Sequence, residues 1–287
     1  MILADLKQSG VVFDPADHTY TTPDGRVLPG VTRAIRREIF GETEDAPEWV
    51  YARGTEVHES VALSVQTAGA VTDGNAAPVD EWAKAAGVTF VASEFVVSDC
   101  EAWASAVDLV GGDGTLYDIK TNADGVETLY CRWQLSIYKR LFEAQTGVSV
   151  PRLVVLHVTG GQCNPVEVAP VPEPLVSAFL ERVGEGRPYL GDMAVTAAHL
   201  EWLTREHEAL SAAIDSAKEA ALDVLTHASA KAYKTETLSI SRTEAGVRKS
   251  FDSARFRTEH PDEYAAYLKE TTTAAGVRVT LRKAKQD

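Results

Sequence analysis

Cysteine is scarce in this chain. Cys100, Cys131 and Cys163 stand singly among 287 residues. An odd, widely spaced set argues against a disulfide framework, and no pair has the C-x-x-C spacing of a zinc site. They read as reduced and mostly buried thiols. Long apolar runs are missing as well: none approaches the roughly 20 residues a membrane helix needs. The opening MILADLKQSG lacks the basic-then-apolar layout of a secretion signal. A soluble, cytoplasmic protein is expected. Basic residues are outnumbered, with 28 Lys+Arg against 42 Asp+Glu and a net charge of −14. That deficit counts against a large non-specific surface for nucleic acid. It does not exclude a phosphate-handling site, because cations held by clustered carboxylates reverse the local sign.

What is present fits an ordinary globular protein, 45% hydrophobic and 24% charged. Its length allows one large domain, or one domain plus a smaller attachment. The charge is uneven. Residues 196–287 hold 14 Lys+Arg and 14 Asp+Glu, so the first 195 carry the whole deficit, and from 231 onward the count is 12 basic to 8 acidic.

The hydropathy pattern sets an element order. Residues 11–32 predict two short strands around the turn Pro23-Asp24-Gly25, closed by Pro29-Gly30. A helix capped by Thr32 follows, through Ala34, Ile35 and Ile39. Val57, Val61 and Val65 recur every four residues, which predicts an amphipathic helix with His58 beside its apolar stripe. A loop at DGNAAP and a short helix at EWAKAAG come next. Three β-rich runs, TFVASEFVVSD, AWASAVDLVGG and GTLYDIKT, lead to a strong helix with Trp133, Ile137 and Leu141 on one stripe and Gly147 at its end. PRLVVLHVT then reads as a strand. Helix, three strands, helix and strand describe an α/β core with a mixed sheet.

Pro170, Pro172 and Pro174 interrupt the chain, and a helix over 174–184 closes a first domain of residues 1–195. The remainder, 196–287, reads as a small α+β module. It begins with a long helix over about 196–230, in which Leu203, His207, Leu210, Ile214, Ala217, Ala221 and Val224 alternate by four and three, as in a coiled-coil or helical-hairpin seam. Two alanines and a histidine make that seam weak, and packing within the chain has at least equal weight. TLSISRT reads as a strand, a helix enters at Asp252 or Ser253, and GVRVTLRK reads as a last strand.

The chemistry concentrates in SAVDLVGGDGTLYDIKT. Metal-assisted phosphodiester hydrolysis needs carboxylates on rigid backbone converging on a cation, with a further group to position water or steady charge. Asp118 and Lys120 are two apart on one strand and so share a face. A hairpin could bring Asp108 beside them. Two carboxylates suit Mg²⁺, and the ammonium suits the attacking water or the phosphate. A D-x-K tripeptide alone is common, and on an exposed strand it is ordinarily a solvated edge.

Its company is more specific. G-T-E-V-H at 54–58, Glu94 on a strand, Asp108, D-I-K at 118–120 and Q-L-S-I-Y at 134–138 follow one another along the chain. In that order and spacing, residues 11–190 resemble the RecB-like branch of the PD-(D/E)XK nucleases, particularly phage exonucleases and their Cas4-like and mitochondrial relatives. The lead-in H-x-Y-x-x-x-D-G-x-x-L-P-x-V-T, beginning at His18, resembles that of many phage members. The resemblance implies a restriction-endonuclease-like core: a central mixed sheet flanked by helices. It implies that His58, Asp108 and Asp118 ligate Mg²⁺ or Mn²⁺ together with the Ile119 carbonyl. Lys120 would be the catalytic lysine, with Gln134 and Tyr138 orienting it and contacting DNA, and Glu94 a further acidic residue. A lone histidine on such a helix is otherwise a satisfied core residue. Ser105 departs from the family's usual glycine. Three cysteines at the wrong spacing exclude the four-cysteine iron–sulfur cluster of Cas4-like members.

The segment from Lys234 to Lys283 faintly resembles the tail of a phage family called Gp157-like, which implies no chemistry. Arg242, Arg248, Lys249, Arg255, Arg257, Arg278, Arg282 and Lys283 could track a phosphate backbone or form an ordinary soluble surface. The leading expectation is a metal-dependent deoxyribonuclease, an exonuclease of phage recombination or DNA processing in the host cytoplasm. Its expected partners are DNA, further copies of itself and a recombination protein such as a single-strand annealing protein. The alternatives are an endonuclease with the same site, or a non-catalytic DNA-binding or recruiting protein on a nuclease fold.

Overall fold

The computed structural model describes residues 6–14, 19–41, 48–122, 126–243, 245–247, 249–273, 275 and 277–281, with side chains omitted for 48–55. His18, Arg248, Arg282 and Lys283 therefore lie outside the described residues, as do the side chains of Gly54 and Thr55. The chain divides into two compact units, Met1–Ala198 and His199–Asp287. No helix among the described residues is long and apolar enough to cross a membrane.

The first unit opens with a three-stranded antiparallel meander, β1 (Val12–Asp14), β2 (Thr19–Thr21) and β3 (Val27–Leu28). Two strands were expected, and the third is β1. Helix α1 (Val31–Phe40) starts from Gly30, which has no side chain to cap it, so Thr32 lies inside the first turn and not at the cap. Helices α2 (Glu48–Gln66) and α3 (Ala77–Ala86) precede the sheet.

The sheet runs β4 (Phe90–Ser98), β5 (Ala104–Gly111), β6 (Leu116–Lys120), β7 (Leu153–Thr159) and β8 (Gln162–Glu167), side by side in that order. Only β6 and β7 are parallel, joined through α4 (Thr128–Thr146), so the sheet is mixed as expected. Strand β8 went unread. Its signal is Gly160-Gly161 between paired Thr159 and Gln162, both at positive φ, as a two-residue type I′ hairpin requires.

Alternation along β6 divides the core. Tyr117 and Ile119 pack with Val57, Val61, Val79, Leu109 and Leu156 on the α2–α3 side. Asp118 and Lys120 therefore point to the other face, where α4 lies. Helix α4 is anchored by buried Trp133, Leu135, Ile137, Leu141 and Phe142, each burial contributing about 1.5–3 kcal/mol. Behind it, α5 (Glu173–Gly184) brings Phe179 against Trp133 and Trp103, with ring centroids 5.6 and 6.0 Å away.

The second unit holds most of α6 (Met193–His227), the hairpin β9 (Ala232–Lys234) with β10 (Ser239–Ser241), and two short helices, α7 (Ser253–Glu259) and α8 (Pro261–Ala266). Asp252 caps α7 by accepting from the Arg255 amide at 2.9 Å, one of the two starts expected. Of the expected last strand, residues 277–281 are described: they pair with nothing among the described residues, and Val277 is 89% exposed.

Two glycines of the first unit make a contrast. Gly114 (φ +88°) turns the β5–β6 hairpin, and an added Cβ would lie 2.9 Å from the Ser149 carbonyl oxygen. Gly147 (φ +73°) ends α4 facing open space. Gly147→Ala should cost about 1 kcal/mol in urea unfolding, from backbone strain alone. Gly114→Ala should cost clearly more. Equal costs would mean that the turn does not hold Ser149 where described.

Candidate active site

The site forms where the pairing of β5 and β6 stops. Their register covers only Leu109↔Tyr117 and Val110↔Leu116. Beyond it the strands fork, and the Asp108 carboxylate takes over the ladder's role by accepting from the Ile119 amide at 2.6 Å. The other Asp108 oxygen lies 3.6 Å from His58 Nδ1, and Glu94 Oε1 lies 3.9 Å from the same nitrogen. His58 Nε2 is 3.1 Å from the Ile119 carbonyl oxygen. A ring nitrogen that donates there leaves Nδ1 with its lone pair toward the two carboxylates.

Glu94 reaches this cluster through an unusual backbone. Its φ is +49°, in the left-handed region, inside a strand. The pairs Ser93↔Leu109 and Phe95↔Val107 flank it, which sets Glu94 opposite Asp108. Ser93 bonds to the Ala62 carbonyl of α2, whereas Phe95 meets Phe142 of α4. Residues two apart normally face one way. The turn at Glu94 reverses the strand's phase and aims its carboxylate at the fork. Such a conformation costs about 1–3 kcal/mol in a non-glycine residue and collects at functional sites.

On the α4 side, Asp118 is 1% exposed. The Lys120 ammonium lies 2.5 Å from its Oδ2 as an ion pair, without the alignment of a hydrogen bond. Its Oδ1 has no donor among the described residues. A carboxylate so deeply buried is normally satisfied on both oxygens, and this one keeps a lone-pair site for a cation. Lys120 Nζ donates to Gln134 Oε1 at 3.2 Å, and Gln134 Nε2 donates to the Tyr138 hydroxyl at 2.8 Å. The Ser105 hydroxyl donates to the same oxygen at 3.1 Å.

Burial and mutual repulsion govern the protonation of these groups. Burial, then the charges of Asp108 and Asp118, push the Glu94 carboxyl up to about 8. Burial pushes Asp118 up to about 6 despite the opposing pull of Lys120. Lys120 is held above its ordinary range, because Asp118 and Asp108 outweigh its burial.

His58, Glu94 and Asp108 offer ligand atoms that all lie within 4.8 Å of one another, a group able to hold a metal ion. Asp118, the other expected acidic ligand, stands beside this group on the lysine side and is not one of the three. Gln134 bonds to the lysine, and Tyr138 reaches it only through Gln134. They are 5% and 2% exposed, so a contact with DNA through these side chains has almost no surface to use.

No family model matches the chain, and no curated protein matches it. Among solved structures it is similar to an alkaline exonuclease, LHK-Exo, from Laribacter hongkongensis. Identity is 14% over 64% of this chain and 94% of that one, with a TM-score of 0.33. It is also similar to a protein designated SSO0001, at 17% identity over 52% of this chain and 68% of that one, with a TM-score of 0.31. Likeness at this level assigns neither family nor activity, and the reading of the site rests on its own geometry.

Further residues take part in the site. Ser105, where the resembled family usually has glycine, supports Tyr138 through its hydroxyl. Tyr20 bonds to the Ala106 amide at 3.0 Å and ties the meander to β5 behind the site; its signal was the H-x-Y lead-in. Tyr130, one turn into α4, carries the Arg36 guanidinium 4.1 Å from its ring centre, with Lys120 Nζ at 5.8 Å.

The raised Glu94 carboxyl predicts a pH dependence. An unfolded chain releases that proton near a glutamate's ordinary pKa of about 4.3, whereas the folded, metal-free chain holds it until about 8. Across that window the native state binds more protons, so stability falls as pH rises. Asp118 adds to the same trend. The urea midpoint measured in chelator should fall between about pH 5 and pH 8, and Glu94→Gln should flatten the fall. A flat wild-type profile would contradict the repulsion described.

Proposed function

We propose that this protein is a metal-dependent nuclease that hydrolyses DNA phosphodiester bonds at the fork between β5 and β6. The observation that carries the reading is the convergence of His58, Glu94 and Asp108, with Asp118 and the buried Lys120 beside them. Glu94 and Asp108 both face one histidine, and Asp118, paired with the lysine, keeps an unsatisfied oxygen. A divalent cation would offset both the burial and the repulsion of these carboxylates.

His58, Glu94 and Asp108 would hold the ion with Asp118 beside them, whereas the Ile119 carbonyl, expected as a ligand, meets His58 Nε2 on the far side of the ring. When bound, Mg²⁺ or Mn²⁺ supplies Lewis-acid neutralisation of charge at a phosphoryl oxygen. The chain's own residues do the rest. Asp108 fixes the Ile119 backbone and thereby the fork. Asp118 pairs with the Lys120 ammonium and Gln134 accepts from it, which fixes its place and leaves donor capacity for the attacking water or the phosphate. Tyr138, steadied by Ser105, keeps Gln134 in the rotamer that meets the lysine. One imidazole among oxygen ligands favours Mn²⁺ over Mg²⁺.

An exonuclease of phage recombination or DNA processing is the specific form we favour, on the sequence motifs and not on the fold. Basic residues beyond 231 would help to engage the DNA backbone.

The test separates binding from chemistry. Asp108→Ala and His58→Ala should lose Mn²⁺ binding in calorimetric titration and cleavage of labelled linear DNA together. Lys120→Ala should bind Mn²⁺ at least as tightly, because a repelling charge is gone, while cleaving about 10²–10³-fold more slowly. Cleavage by the wild type that persists in excess chelator, or full activity in Lys120→Ala, would contradict the reading. Linear against covalently closed DNA distinguishes exonuclease from endonuclease.

A second series tests the lysine's support. Gln134→Ala and Tyr138→Phe should leave Mn²⁺ affinity unchanged and slow turnover, with a loss of up to about 10²-fold if the ammonium shifts by about 1 Å. A loss of metal affinity instead would make them structural and not positioning residues.

A further inference from the structure

Helix α6 poses a problem that the nuclease site does not address. From Arg205 to Ala220 every residue is exposed, through more than four helical turns. Leu210 is 62% exposed, Ile214 46% and Val224 67%. A helix open on all sides gains little from propensity, and stability in long helices comes from packing an apolar face. The charged residues of this stretch respect such a face. Arg205, Glu206, Glu208, Asp215, Lys218, Glu219 and Asp223 all stay off the seam that runs from Leu203 through His207, Leu210, Ile214, Ala217 and Ala221 to Val224.

The seam's own size pattern identifies its occupant. Laid parallel in register, two copies would set His207 against His207, Ala217 against Ala217 and Ala221 against Ala221. That alternates a polar layer and two voids with Leu–Leu and Ile–Ile layers. Laid antiparallel, with Ile214 facing Ala217, the order becomes largely complementary. Leu210 faces Ala221 and His207 faces Val224, each pair occurring twice about the twofold axis, while Leu203 reaches the end of the partner helix. Large meets small at two of the three layer types, which is how facing helices fill space without voids, and the histidines are kept apart. The paired layers, residues 207–224, span about 27 Å at 1.5 Å per residue.

We propose that α6 pairs with α6 of a second copy of this chain, antiparallel, in the register that sets Ile214 against Ala217. The partner is self, since an isologous pair needs a surface that complements its own reverse, and this seam does. The arrangement stands independently of the nuclease reading: it involves no residue of the fork, and it would hold for a chain with no catalytic activity.

The experiment uses the full chain. Light scattering across a dilution series should give twice 31.0 kDa for the wild type and the single mass for Leu210→Glu with Ile214→Glu. Circular dichroism and the urea unfolding midpoint of that variant report whether the rest stays folded. Orientation is read by disulfide trapping. Leu210→Cys combined with Ala221→Cys should give an oxidised dimer well above the background from the native cysteines, because facing layers come within disulfide reach. Leu210→Cys alone should give only background, since antiparallel pairing parts the two copies of position 210 by about 16 Å along the axis. A monomeric wild type, a mass of three or more protomers, or efficient trapping by Leu210→Cys alone would each overturn the proposal.

Discussion

Everything at the candidate site depends on one substitution within the sheet. The Asp108 carboxylate replaces a strand partner for the Ile119 amide. A continuing β5–β6 ladder would satisfy that amide with a backbone carbonyl and close the sheet at the point where the site opens. Because a side chain does it instead, the strands separate while the buried amide stays bonded. The gap exposes the Ile119 carbonyl to His58, frees the second Asp108 oxygen and leaves Asp118 and Lys120 facing α4. The left-handed turn at Glu94 is the matching adjustment on the neighbouring strand.

The fork concentrates negative charge where water is largely excluded. Burial first, and neighbouring charge second, raises two carboxyls beside one another, so the folded chain holds them there at a cost. Natural proteins keep such arrangements when a ligand relieves them. The net charge of −14, which at first argues against a nucleic-acid enzyme, is partly this concentration. In the proposed function the cation, and not the protein surface, supplies the positive charge that meets phosphate. The lysine acts differently. Held on two sides by Asp118 and Gln134, it has a charge fixed in direction as well as in sign.

Much of this was legible in the sequence because the core elements carry strong periodicity. The valine stripe on α2, the three β-rich runs and the stripe on α4 each bury a regular face, and period-two geometry correctly put Asp118 and Lys120 on one side of β6. What could not be read arises from irregularity. The phase reversal at Glu94 follows no pattern in residue types, since glutamate has no preference for positive φ. The capping of Ile119 by Asp108 depends on where two strands part. Strand β8 carries exposed polar residues and proline, so its alternation is weak even though the Gly160-Gly161 turn announced it. The expected last strand shows the opposite case: its alternation is good, yet residues 277–281 pair with nothing among the described residues. Ser105 stands where the resembled family usually has glycine, and its contribution comes from a hydroxyl that no pattern of size or hydropathy marks.

In the proposed function the acids at the fork are arranged around a divalent cation. Crystals of the wild-type chain soaked in Mn²⁺, with anomalous scattering recorded at the manganese edge, would locate that ion. One strong anomalous peak bounded by His58, Glu94 and Asp108 is expected, with Lys120 still bonded to Gln134. A fork that stays free of manganese at saturating concentration, or a peak bound elsewhere on the chain alone, would contradict it.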